Sequence, residues 1–187
     1  MPPKVKITKE DIIETAVGLV RKNGADSLNA RSIASSLGCS TQPVFSNFSS
    51  MDELQEAVAR AAFTLYMEFL KNEAKKGEYP RYKSFGMAYI RFAKEEKELF
   101  KLLFMCERDG KEFEPGPDYT ESIEMISAAN GISNEKAEKL HLEMWACVHG
   151  IATMLATSYL DLSRELISDM ISDIYHGLVK QHLEAHQ

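Results

Sequence analysis

Thr41, Gln42, Ser46 and Asn47 fall close together in the stretch 29–48, and each offers a small hydrogen-bonding group of the kind that reads base edges or phosphates. Gln42 is the best placed for direct readout, because a carboxamide pairs bidentately with adenine. Catalytic arrangements are not apparent. His182 and His186 stand at i, i+4, and His141 shares a helical stretch with Cys147. Neither pair comes with an H-E-x-x-H, a Ser-His-Asp set or a phosphate-cradling glycine loop. The end of the chain should fray and leave His182 and His186 in water. Cys39, Cys106 and Cys147 are widely spaced without a C-x-x-C, so neither a disulfide framework nor a structural zinc site is expected. Arg108 and Lys111 flank Cys106, but Glu107 and Asp109 offset them, so nothing obvious lowers its thiol pKa. The expectation is a binding protein, not an enzyme, with no metal and no cofactor.

The polar residues of 41–47 need short helices to present them, and the sequence supplies the signals. Thr8, with Asp11 three residues on, opens a first helix that buries Ile12, Ala16, Leu19 and Val20 and stops at Gly24. Asn29 caps a second helix over 30–37, buried through Ile33, Ala34 and Leu37 and ended by Gly38. Cys39 is expected to fill a small buried site in the turn, and Ser40 to cap a third helix. Pro43 would fall in that helix's first turn, where no intrahelical bond is lost. In it, Thr41, Gln42 and Ser46 are expected to face outward while Val44 and Phe45 face inward. Ser50 and Glu53 form a capping-box pattern that opens a long helix through Leu54, Val58, Ala61, Leu65 and Phe69. Helical patterns resume over 85–104 and 119–129, with a charged run from Lys94 to Glu98 and a loop predicted for Glu107 to Asp118. Two long helices follow, 134–159 and 164–184. No alternating strand pattern appears, so the fold class is all-α.

Ile12, Ala16, Leu19, Gly24, Arg31, Ile33-Ala34, Gly38, Ser40, Phe45, Phe48 and Asp52-Glu53-Leu54 carry a spacing that resembles the TetR family of one-component bacterial transcription regulators across residues 8–58. Trp145-Ala-Cys-Val-His149-Gly150 is similar to a Trp-His-Gly signature in one subgroup of its C-terminal domains. The resemblance implies a three-helix helix-turn-helix DNA-binding domain over 1–50 and a helical effector-binding and dimerisation domain over 51–187. It adds Arg31, Ser40 and Phe45 to Thr41, Gln42, Ser46 and Asn47 as DNA contacts, with Lys4 and Lys6 as a basic arm along a groove. Phe45 stands where the family often has a phosphate-touching Tyr, Met51 where a Lys often does the same, and Gln42-Pro43 where a Gly-small pair is common. Fewer phosphate contacts predict a shallower salt dependence than in relatives, with more weight on Arg31, Lys4, Lys6 and Lys9.

The family's partners follow: a double-stranded operator, a small hydrophobic effector, and a second copy of the chain joined through the last two helices. Effector candidates are Tyr66, Phe69, Tyr89, Phe92, Phe104, Met105, Met144, Trp145 and His149, since aromatic and Met side chains suit an adaptable apolar pocket. Two other readings stay open: a thiol-based redox sensor through Cys106 or Cys39, and a helix-turn-helix that binds a protein instead of DNA. The formal charge of −6 over 187 residues argues against DNA only until it is divided. Residues 1–50 hold six basic and four acidic side chains, net +2; the rest hold 16 and 24, net −8. No apolar run approaches the ~20 residues of a membrane span, and the basic start lacks the apolar run of a signal peptide, so a cytoplasmic location is expected.

Overall fold

A computed structural model describes residues 7–106 and 119–184. Lys4, Lys6, His186 and the predicted loop Glu107 to Asp118 lie outside the described residues. Among those described, every regular element is helical: α1 (Lys9–Asn23), a 3-10 turn (Ala25–Ser27), α2 (Ala30–Ser36), α3 (Gln42–Asn47), α4 (Met51–Ala74), α5 (Arg81–Glu95), α6 (Lys97–Phe104), α7 (Tyr119–Asn130), α8 (Asn134–Ala156) and α9 (Arg164–Glu184). The all-α expectation holds. The chain forms two compact units, one of which runs to Glu68 within α4. The first unit also takes in Glu96–Cys106.

In the first unit, the local signals work as capping chemistry. Thr8 and Asp11 exchange reciprocal bonds of 3.1 and 2.8 Å, closing the capping box of α1. Asn29 accepts from the Ser32 amide at 2.9 Å to start α2. Gly38 has φ +64°, the left-handed conformation that lets the chain reverse between α2 and α3. Ile12, Val20, Ile33, Val44, Leu54 and Val58 are all within 1% of full burial, so α1 to α4 share one apolar centre, joined by Leu99 and Phe100 of α6. Burying side chains of this size stabilises by roughly 1.5–3 kcal/mol each.

The α4 start departs from the expected capping box. Ser50 does accept from the Glu53 amide at 3.1 Å, but the Glu53 carboxylate turns to the Ser49 amide and hydroxyl and to Lys9 Nζ, all at 2.8 Å. The lysine ammonium adds an opposite full charge that the Ser50 amide lacks.

In the second unit, α5 and α8 supply most of the core. Met87, Ala88, Phe92 and Ala93 meet an α8 stripe of Leu140, Met144, Val148, Ile151 and Leu155, and Ile167 and Ile171 of α9 complete it. Gly86 permits a close approach, since a Cβ there would lie 3.3 Å from Val148 Cγ2. The expected end of α8 near Tyr159 comes earlier, at Ala156: Ser158 takes φ 58° and Tyr159 is exposed.

Candidate functional site

α3 is a six-residue helix held by one buried residue of its own, Val44, and by Phe48, which caps its C-terminal end and is also buried. Its cap is Thr41, not Ser40, and Thr41 makes no side-chain capping bond. Pro43 falls in the first turn, as the pattern requires. Gln42 and Ser46 are exposed and Thr41 and Asn47 half-buried. Ser46 Oγ donates to the Gln42 carbonyl at 2.9 Å and Asn47 Nδ2 to the Pro43 carbonyl at 2.8 Å. These bonds use the Ser46 hydroxyl proton, so Ser46 meets a partner as an acceptor, while the Gln42 carboxamide makes no side-chain bond among the described residues.

Two inward expectations fail here. Phe45 is 59% exposed, because a helix this short seats only one of two adjacent side chains, and Val44 takes the interior. Its ring instead shares the outer face with Gln42 and Ser46. Cys39 is half-buried, and its thiol donates to the neighbouring Ser40 carbonyl at 3.1 Å instead of filling the turn.

The basic residues divide in the same manner. Arg31 is exposed on α2 and makes no ion pair among the described residues, which leaves its guanidinium for a partner. Lys9, expected to serve DNA as well, has its ammonium bound to Glu53 and 4.5 Å above the Phe48 ring. That ammonium, with the Ser49 amide and hydroxyl, holds the Glu53 carboxyl down at about 2.

Of the nine effector candidates, Tyr66, Phe104 and Met105 lie in the first unit and the other six in the second. Tyr66 meets Phe104 edge-on at 5.1 Å, and Met105 is exposed. In the second unit Phe69 meets Phe92 edge-on at 5.5 Å, and Met144 is buried in the core. Tyr89, Trp145 and His149 form a set. The Tyr89 hydroxyl lies 2.9 Å from His149 Nδ1, and the Trp145 indole stacks on the imidazole at 5.1 Å and 14°. Burial lowers the His149 pKa, so the ring is neutral near pH 7. One turn further, the buried Thr153 hydroxyl has no hydrogen-bond partner among the described residues.

A cavity of about 200 Å³ opens elsewhere in this unit, and none of the nine candidates lines it. Its apolar wall includes Met87, Ala88, Ile90, Leu155, Leu162 and Ile167. Its polar side is a chain of ion pairs. Arg91 donates through Nε to Glu95 at 2.6 Å and through Nη1 to Glu73 at 2.7 Å. Lys94 donates to Asp161 at 2.6 Å, and Arg164 pairs with Glu78. Burial pushes the Glu73 carboxyl up, but bonds from Lys76 and Arg91 outweigh it and leave the pKa lowered. Along the chain, 94–98 is only a charged run. Arg91 and Glu95, at i, i+4, announce themselves locally; the other pairs span 18, 67 and 86 residues.

His182 is another correction. It is buried, its Nε2 is 2.9 Å from Glu143 Oε2, and its carbonyl accepts from Lys136 at 2.7 Å. The last turn of α9 is therefore fastened to α8 and not frayed there.

No described helix is long and apolar enough to cross a membrane. No curated protein matches the chain. Among solved structures, a protein of unknown function from Rhodococcus sp. RHA1 superposes with a TM-score of 0.72 at 23% identity, covering 96% of this chain and 100% of its own. At that identity the likeness speaks for the fold. The family model of the tetracyclin repressor-like C-terminal domain matches residues 82–182, more than half of the chain, from α5 into α9. The chain thus belongs to the TetR family of transcription regulators.

Proposed function

We propose that this regulator is a repressor: it binds a palindromic operator as a homodimer, works in the cytoplasm, and releases DNA when a small molecule occupies the second unit. The outward face of α3 carries the reading, because Gln42, Phe45 and Ser46 are exposed there on a helix anchored from beneath by Val44 and Phe48. Gln42 reads a base edge, and Thr41, Ser46, Asn47 and Ser40 supplement it. Arg31 holds a phosphate, with Lys4 and Lys6 following the groove. The dimer is supported by the last two helices, where Leu142, Trp145, Leu166 and Leu183 are exposed in the single chain. Covering such a surface with a second copy is favourable, and a two-fold axis presents two α3 helices to two half-sites. An effector shifts this system only by its affinity difference between the DNA-competent and released states, so operator and effector weaken each other equally.

Selection of bound sequences from random duplex DNA tests the reading, with light scattering on the same protein. An inverted repeat with half-sites one or more helical turns apart and a dimeric mass are expected. Failure to enrich any sequence, or a monomer at all concentrations, overturns it.

A further inference from the structure

The cavity beside α5 has an apolar wall, cationic donors with unused N–H groups, and a volume suited to small ligands. At about 200 Å³ it falls below the ~300–1,000 Å³ of sites for drug-sized molecules, a volume that suits a short-chain or single-ring compound. The polar side contains three cations, Arg91, Lys94 and Arg164, and three carboxylates, Glu73, Glu78 and Glu95.

Donor groups without a carboxylate, not net charge, favour an anion here. Lys83 lies 4.9 Å from the ring of Tyr79, which lines the cavity, and bonds only the hydroxyls of Ser168 and Ser172, at 2.7 and 2.8 Å. It is a cation beside the lining with no carboxylate partner among the described residues, just as Asp161 is a carboxylate beside the lining that takes Lys94. The donors are also under-used. Arg91 makes two bonds from five N–H groups and Lys94 one from three. Lys94 spends its bond on Asp161, whose side chain is 83% exposed, and an ion pair so open to water holds its partner weakly. Glu73, by contrast, takes both Lys76 and Arg91 on one oxygen.

We propose that this cavity binds a small organic monocarboxylate, its apolar body against Met87, Leu155 and Ile167 and its carboxylate on Arg91 and Lys94. That the acid acts as effector rests on the regulator reading above; the binding itself does not. Charge-assisted bonds to two donors, one a guanidinium with unused N–H groups, select the acid over its amide.

Calorimetric titration of the full chain, without DNA, compares hexanoate and benzoate with hexanamide and benzamide. The acids are expected to bind saturably and the amides at least roughly tenfold more weakly. Lys94→Gln, at an exposed side chain, and Leu162→Trp, which fills the cavity from the α8 to α9 connection, should each weaken acid binding roughly tenfold or more while the unliganded melting temperature is retained. No acid binding, equal binding of acids and amides, or unaltered binding by both folded variants overturns the proposal. Protein that binds an acid but selects no DNA keeps the site and loses the regulator reading; protein that selects an operator but binds no acid does the reverse.

Discussion

α3 presents Gln42, Phe45 and Ser46 on six residues secured by Val44 and Phe48, whereas the cavity in the second unit gathers Glu73, Glu78, Arg91, Lys94, Leu155 and Arg164 from four separate stretches of chain. The outer residues of α3 support little of the fold, so they can be exchanged at small cost to stability. Arg91 and Glu73 around the cavity are bound into ion pairs that join α4 to α5, so a ligand there competes with the protein's own bonds.

The largest effect should come from damaging the packing behind the second region. Leu140 is completely buried on α8, and Leu140→Ala should cost about 2–5 kcal/mol in urea unfolding. A cost below about 1 kcal/mol would show that α8 is not the packing centre and would weaken the contrast. On α3 the pattern should invert. Gln42→Ala should stay within about 0.5 kcal/mol of the native stability yet remove about 1–3 kcal/mol of discrimination at one base pair, read by competition between the selected duplex and its single-base variants. Arg31→Ala should weaken all duplexes alike and flatten log K against log salt by about 0.9 for each phosphate left without its cation.

Acidity separates the regions more finely. The Glu53 carboxyl, at about 2 in the folded chain against 4.5 ordinarily, contributes stability that is complete above pH 4.5 and lost as pH falls toward 2. Glu53→Gln should flatten the melting temperature across that window, and an unchanged acid limb would contradict the Lys9 to Glu53 link. The smallest effect belongs to His149 in the second unit. Its lowered pKa gives stability that is present above the ordinary 6.5 and lost as pH falls through the folded value. His149→Gln should flatten that mildly acidic slope, and an unaltered slope would mean that protonation is not opposed by burial.

Much of the first unit could be read in order along the chain. Thr8, Asn29 and Gly38 act on neighbours within a few residues, so their helix starts and turn followed from spacing. Reading failed where a side chain had to choose between neighbours. Phe45 and Val44 compete for one inward position, and Lys9 had Glu53, 44 residues away, as a better partner than solvent. In the second unit the helices were legible but their faces were not. His182 is buried because Glu143 and Lys136 on α8 hold it, and the cavity is lined by residues other than the aromatic ones chosen for an effector.

The sequence by itself determined an all-α chain, the Thr8 and Asn29 caps and the Gly38 turn of its helix-turn-helix, and the division of its charge into +2 and −8, because these depend on local hydrogen bonds, periodicity and counting. Tertiary structure alone decided that Phe45 faces water, that Lys9 is spent on Glu53, and that Arg91, Lys94 and Arg164 border one cavity. Each of those depends on how helices far apart in sequence rotate against one another to bury their apolar faces, a choice made by the whole core and not by any one segment.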